Sequence, residues 1–265
     1  MRIALAQINS TSDVEQNLSK LKAYTAQAAK KNADIVVFPE ATMVAFGSDL
    51  ARTAEAHLAT WAHELRNLAA ESHLTIVVGE FERADDKVTN YLTAYSPDGE
   101  VERYAKIHLY DAFGYKESES VVAGDRPTLI DVGGIYIGLA TCYDIRFPKL
   151  FAELSRRGAA VTIVSASWGA GDGKIDQWRT LAQARALDSN AYVIAVDQAD
   201  PEVSAVDVPS NGPTGVGHSL VADPFGRIVA QLGGEEAMSV VEIDPVLSEE
   251  SAGIIPVLSN AKLGY

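Results

Sequence analysis

One thiol, a few carboxylates and a lysine set the chemistry this chain could perform. Cys142 is the single cysteine, so no intramolecular disulfide can form. A lone cysteine is by default a small buried hydrophobe. Here it leaves the apolar run 135–141 and opens Cys142-Tyr143-Asp144-Ile145-Arg146-Phe147-Pro148, which ends on a proline suited to a first helical turn. A strand turning sharply into a helix would expose the sulfur at the tip of an elbow. N–H groups at the helix start would favour a thiolate there and could hold an oxyanion. Glu40 closes the run Ala33-Asp34-Ile35-Val36-Val37-Phe38, after Pro39, and Lys106 follows the segment 100–105. Taken alone, these read as a solvated edge carboxylate and a surface lysine. In α/β sheets, however, ligands gather at the carboxyl ends of strands, and all three residues fall at such ends. Together they would supply a nucleophile, a general acid/base and a cation for a tetrahedral intermediate.

The elements that must position them alternate along the chain. Short apolar runs at 2–8, 33–38, 74–79, 135–141, 161–164 and 192–196 read as buried strands. Between them, periodic segments predict helices over 14–31, capped by Asp13, then 51–71, from Pro148 to near Gly158, and 175–189. Two Pro-x-Gly turns, Ser96-Pro97-Asp98-Gly99 and Asp223-Pro224-Phe225-Gly226, read as hairpins. The order strand, helix, strand, helix, strand, hairpin thus occurs twice, which predicts an α/β fold of two similar halves within one domain over 1–265. Loops at 107–127 and 200–217 are the expected site-forming or mobile segments. The tail after Pro245 has weak periodicity, suited to packing on a partner subunit or draping over the surface.

Composition narrows the function classes. Of the 265 residues 47% are hydrophobic, enough for a full core, and the net charge is −14. Such a surface repels phosphate backbones and anionic lipid, so nucleic acid and membranes are not expected partners. No apolar run approaches the ~20 residues of a membrane span, and the N-terminal residues read as a strand, not a signal peptide. A cytoplasmic location is the simplest expectation. His57, His63, His73, His108 and His218 show no ligand-like spacing, so no metal site is expected.

The three chemical segments, in their order and spacing, resemble the nitrilase (carbon–nitrogen hydrolase) superfamily. Phe38-Pro39-Glu40 is similar to its glutamate motif, Lys106-Ile107-His108-Leu109 followed by Tyr110-Asp111 to its lysine motif, and Cys142 to Pro148 to its nucleophile motif. Further matches run from Ala6-Gln7 through Ser167-Trp168, Trp178 and Ala184-Arg185-Ala186 to Gly217-His218-Ser219 and Asp223-Pro224. The similarity is to the amidase-like branch that includes omega-amidase and deaminated glutathione amidase. It implies a four-layer αββα sandwich, pairing into homodimers, and hydrolysis of a small, carboxylate-bearing amide to acid and ammonia through a cysteine thioester, with no cofactor. It also implies a second active-site glutamate in a Glu-Ser segment. Glu117 matches, and Glu119 competes because the sequence reads Glu117-Ser118-Glu119-Ser120. The stretch 111–116 is shorter than in the omega-amidase-like branch, which leaves substrate choice open.

Tyr143, Arg146, Trp168, Phe113 and Tyr115 lie in or beside these motifs and are the candidates to line the substrate pocket. Arg146 would bind a substrate carboxylate or, equally, pair with Asp144 at the helix start. Trp178 and Arg185 fall on the 175–189 helix, where packing and dimer contacts are the natural roles. Other readings stay open: a nitrilase, N-carbamoyl hydrolase or acyl transferase using the same residues, a non-catalytic binding protein on the same fold, or a redox-sensing thiol. The last would want a resolving cysteine, and there is none.

Overall fold

A computed structural model describes residues 1–209 and 212–262. Residues 210 and 211 of the 200–217 loop, and 263–265 of the tail, lie outside the described residues. Two sheets carry the molecule, one of seven strands and one of six. At the centre of the first, Arg2–Gln7, Ile35–Val37 and Thr75–Ala84 run parallel. Lys87–Tyr95 and Val101–Ala105 then continue it as an antiparallel meander. The second sheet repeats the plan: Ile135–Thr141, Val161–Ala166 and Tyr192–Asp197 are parallel, and Leu220–Ala222 and Ile228–Gln231 follow antiparallel. The doubled order read from the sequence is thus the doubled topology of the structure. Each sheet is closed on its other side by one antiparallel strand. Leu129–Val132 closes the second, and Ala237–Glu242, from late in the chain, closes the first against Arg2–Gln7.

Layering follows from the period-2 alternation of strand side chains. Ile3, Leu5, Ile35, Val37 and Val77 point toward the second sheet and share one core with it. Their neighbours Ala4, Ala6, Val36, Ile76 and Val78 point the other way, into a second core with helices Val14–Lys30 and Leu50–Ser72. Helices Pro148–Arg156 and Lys174–Ser189 cover the far face of the second sheet, with Leu150, Phe151, Leu154, Trp178, Ala182 and Ala186 in the core. The order is helices, sheet, sheet, helices: the expected αββα sandwich. Because both faces of the parallel strands are covered, their central stretches are apolar runs such as Ile35–Val37 and Ile76-Val77-Val78.

The helix boundaries fall where local chemistry puts them. The Asp13 carboxylate accepts the N–H groups of Glu15 and Gln16 at 2.9 and 3.1 Å, capping the first helix. Pro148 stands in the first turn of the third, and Gly158 follows its end at φ +103°. The tail forms two short helices, Val246–Ile254 and Val257–Asn260. They dock on the chain's own second half: the Asn190 side chain donates to Ser251 Oγ at 2.8 Å and to the Ile255 carbonyl at 3.1 Å.

One glycine fixes how the first sheet delivers its carboxylate. A Cβ at Gly79 would stand 2.6 Å from Ala41 N and 2.7 Å from both Glu40 Cα and Pro39 O. These are backbone atoms and cannot swing aside. Gly79→Ala is therefore expected to lower stability by about 1–3 kcal/mol and to move Glu40. Urea unfolding checks the first effect, and wild-type stability in the variant would show that this close approach does not matter.

Candidate active site

The carboxyl ends of the parallel strands in both sheets meet at one place. Glu40 arrives two residues after Phe38 with Ala41 at φ +58°, and Cys142 follows Thr141 directly at φ +47°. Positive φ costs a residue with a side chain about 1–2 kcal/mol, so both turns are held by their surroundings. Thr141 is extended, and Cys142–Arg146 forms a 3₁₀ turn before the third helix. The elbow expected at Cys142 is present. Its sulfur is not exposed as expected: Cys142 is only 5% accessible and meets a narrow pocket.

Lys106 is the centre of the constellation. It is 1% accessible, and its Nζ donates to Glu40 Oε1 at 2.8 Å and to Glu117 Oε2 at 2.8 Å. The Asn90 amide donates to the same carboxylates, at 2.8 Å to Glu40 Oε1 and 3.2 Å to Glu117 Oε1. Ser167 N–H donates to Glu40 Oε2 at 2.9 Å, and Tyr110 N–H donates to Glu117 Oε2 at 2.7 Å. The thiol points at the Ser167 carbonyl, with Sγ 3.6 Å away. Ser167 therefore touches base and thiol alike. Glu119 does not join them: it is exposed and lies 3.9 Å from Lys116. Of the two Glu-Ser candidates, Glu117 is the one in the cluster.

Charge accounts for the protonation states. Burial raises the Glu40 carboxyl above its usual range; Lys106 pulls it back in part, and Glu117 raises it again. Burial alone would weaken the Lys106 ammonium, but Glu117 and Glu40 together hold it well above its ordinary value. Burial and then the Glu40 charge push the Cys142 thiol well up, against the pull of Lys106. The resting sulfur is thus a thiol, which corrects the expectation of a favoured thiolate. A five-residue 3₁₀ turn offers little dipole, and desolvation beside a carboxylate outweighs it.

Several positioning residues were not recognised from sequence. Asp144, fully buried, ties the nucleophile elbow to the lysine loop. Its Oδ2 accepts Thr141 N–H at 2.8 Å and Tyr104 O–H at 2.7 Å; its Oδ1 accepts His108 N–H at 3.0 Å and lies 2.7 Å from His108 Nδ1. This overturns the suggested Arg146–Asp144 pair: Asp144 has no room for a fifth partner, and Arg146 instead donates to Gln177 Oε1 at 2.8 Å. Gln198 Nε2 donates to the Glu40 carbonyl at 2.8 Å, fixing Glu40 from the second sheet. Asp197, whose carboxyl burial raises well above its usual value, accepts Trp168 N–H and Val216 N–H, each at 2.8 Å. Asp144 lay inside a motif and was readable; Asn90 carried only the weak signal of an amide in a strand. Arg185 donates to the Ile145 carbonyl at 3.0 Å, and Trp178 packs against Trp168 with centroids 5.2 Å apart, the packing roles expected.

The pocket candidates surround the thiol in two shells. Tyr143, Arg146 and Trp168 line the narrow pocket with Cys142, Tyr110 and Lys174. Phe113 and Tyr115 sit farther out, lining a cleft of about 1240 Å³ bounded opposite by Asp200–Val208 and Thr214–Val216. Tyr110 and Gly169 border both spaces, so the cleft adjoins the pocket that holds the sulfur. The expected 107–127 loop supplies this wall through the hairpin Asp111–Ala112 and Tyr115–Lys116. Among the described residues no helix is long and apolar enough to cross a membrane.

Known proteins resemble this chain in sequence and fold. The sequence profile of the carbon–nitrogen hydrolase family matches residues 2–252. A Mycobacterium tuberculosis protein named only as a hydrolase is 48% identical over 98% of this chain and 95% of its own. The deaminated glutathione amidase of Escherichia coli is 32% identical over 99% of this chain and 97% of its own. Among solved structures, a Saccharomyces cerevisiae member of the nitrilase superfamily superposes with a TM-score of 0.83 at 28% identity, covering 97% of this chain and 94% of that one. The chain belongs to the carbon–nitrogen hydrolase family.

The buried ion cluster gives a direct test of the two glutamates. Glu117→Ala removes one partner of a buried ammonium and is expected to cost about 3–5 kcal/mol of stability. Glu119→Ala, at a solvated site, should stay within about 0.5 kcal/mol of wild type. Chemical denaturation of both variants decides; equal effects would mean that Glu117 carries no buried charge partner.

Proposed function

We propose that this protein is an amidase that hydrolyses a small, carboxylate-bearing amide to the acid and ammonia. Its catalytic groups would be Cys142, Glu40, Lys106 and Glu117. The observation that carries this reading is the buried Lys106 ammonium between two carboxylates, with Ser167 linking one of them to the thiol. That arrangement suits a reaction in which a proton leaves sulfur, negative charge grows on a carbonyl oxygen, and a proton then reaches a leaving nitrogen.

The geometry supports the following sequence of steps. Glu40 takes the proton of Cys142 as sulfur attacks the amide carbon. The developing oxyanion is stabilised by Lys106 and by the N–H of Tyr143, the second residue of the 3₁₀ turn. As the C–N bond breaks, Glu40 gives its proton to the nitrogen and ammonia leaves a thioester on Cys142. Glu40 then takes a proton from water, which attacks the thioester. When the carbon–sulfur bond breaks, sulfur recovers that proton and the acid departs. Glu117 orients Lys106 throughout. The raised Glu40 carboxyl suits both directions, since it holds a proton more readily than an exposed carboxylate and still releases it. The substrate-side residues are Tyr143, Arg146 and Trp168 near the carbonyl, with Phe113 and Tyr115 farther along the chain of the substrate.

This reading also takes residues 1–265 as one catalytic domain that forms a homodimer in the cytoplasm, where the thiol stays reduced. Support for a dimer comes from the exposed apolar side chains Leu187, Ile254 and Ile255, near the docked tail.

Ammonia release from a panel of small amides, nitriles and N-carbamoyl compounds tests the assignment. One amide class should react, with Cys142→Ala lowering turnover by at least about 10³-fold while still folding; retained turnover would sink it. The acid limb of kcat/KM should lie above the ordinary carboxylate range of about 4.3. The sign follows from Glu40: its raised carboxyl is already protonated, and useless as a base, at a pH where an exposed glutamate remains ionised. An acid limb at or below that range would remove Glu40 from the role.

A further inference from the structure

Lys174 opens the helix Lys174–Ser189, directly after the segment Gly169-Ala170-Gly171-Asp172-Gly173. Its side chain belongs to the pocket that Cys142 faces, and the residue is only 7% accessible. Among the described residues its ammonium takes part in no ion pair within 4.0 Å. Its neighbours are ring faces: Nζ lies 3.6 Å from the Phe113 centroid and 6.0 Å from that of Trp168. Arg146 is placed alike. Its Cζ lies 5.0 Å from the Trp168 centroid and 5.9 Å from that of Tyr143, and its polar partner is the neutral amide of Gln177.

Two cations therefore border one narrow pocket without a carboxylate, in a chain whose net charge is −14. Burial weakens the Lys174 ammonium, and the Arg146 charge weakens it further. An aromatic face offsets only part of what a cation loses on leaving water. The carboxylates near the thiol do not serve, because Glu40 and Glu117 are both bound to Lys106 and Asp197 is taken by the Trp168 and Val216 N–H groups. The missing charge is one that a ligand would bring.

We infer that Lys174 is a specificity-determining residue that acts with Arg146 to bind a carboxylate of the substrate, placed on the acyl side of the bond to be cut. The guanidinium fork and the ammonium suit the two oxygens of one carboxylate. Phe113, 75% exposed at the tip of the hairpin, lies over the ammonium and lets it keep its place when no anion is bound. The acyl-side placement rests on the amidase reading; the anion site itself does not.

The test separates the two. Succinamate and its neutral counterpart butyramide are compared as substrates of wild type, Lys174→Met and Lys174→Arg, with thermal unfolding as a check that each variant folds. The wild-type preference for succinamate, as a ratio of kcat/KM values, should fall about tenfold or more in Lys174→Met, mainly through KM. Lys174→Arg should restore much of it. An unchanged ratio in Lys174→Met, whatever the absolute rates, overturns the inference. Calorimetric titration of succinate into Cys142→Ala, with and without Lys174→Met, reads the site without turnover. Binding that weakens about tenfold on adding Lys174→Met upholds the anion site even where no amide is hydrolysed. Binding that is absent from Cys142→Ala, or indifferent to Lys174, overturns it.

Discussion

A fully buried ammonium is among the most demanding groups a fold can contain, and Lys106 is one. It must find negative charge at hydrogen-bond distance or lose its own. Glu40 and Glu117 meet that demand from different parts of the chain, and their oxygens in turn take N–H groups from Asn90, Tyr110 and Ser167. Two carboxylates around one ammonium leave an excess negative charge. That excess is what makes the cluster a proton acceptor beside a neutral thiol, and it couples the groups so that protons belong to the set. The electrostatics that stabilise the lysine and the electrostatics that surround the sulfur are one arrangement.

The sandwich exists, in functional terms, to bring that arrangement together. Glu40 and Lys106 end strands of the first sheet, and Cys142 and Ser167 end strands of the second. No single sheet could place them in contact. Side-chain bonds lock the crossing: Ser165 Oγ donates to the Phe38 carbonyl at 2.7 Å, and Gln198 reaches the carbonyl of Glu40 itself. Asp144 performs the complementary task, linking the elbow of the second sheet to Tyr104 and His108 of the first. Each bond crosses the sheet interface near the chemistry, where a small slip would separate base from nucleophile.

Much of this was legible in the residues. Uninterrupted apolar runs identify strands covered on both faces, and Pro-x-Gly turns identify the hairpins, because both signals are local. Glu40, Lys106 and Cys142 stood out by their places at strand ends. What was not legible depends on contacts between distant segments. Asn90 is an ordinary strand amide until two carboxylates are packed beside it. Arg146 seemed free to pair with Asp144, two positions away, until four donors from elsewhere filled that carboxylate. Exposure of the sulfur was also misjudged, since an elbow tip is open only if no second sheet covers it. Lys174 sits in a glycine-rich stretch that gives no hint of burial.

The strand Ala237–Glu242 has a consequence for how the molecule is made. It supplies the partner for Arg2–Gln7, from which it is separated by both halves of the fold. Until Ala237–Glu242 has been synthesised, Arg2–Gln7 offers one bare edge of unpaired N–H and C=O groups, the kind of edge that recruits strangers. The first sheet is therefore complete only once it has captured this late strand. In a cell, the interval between synthesis of those two strands leaves that edge open to other chains.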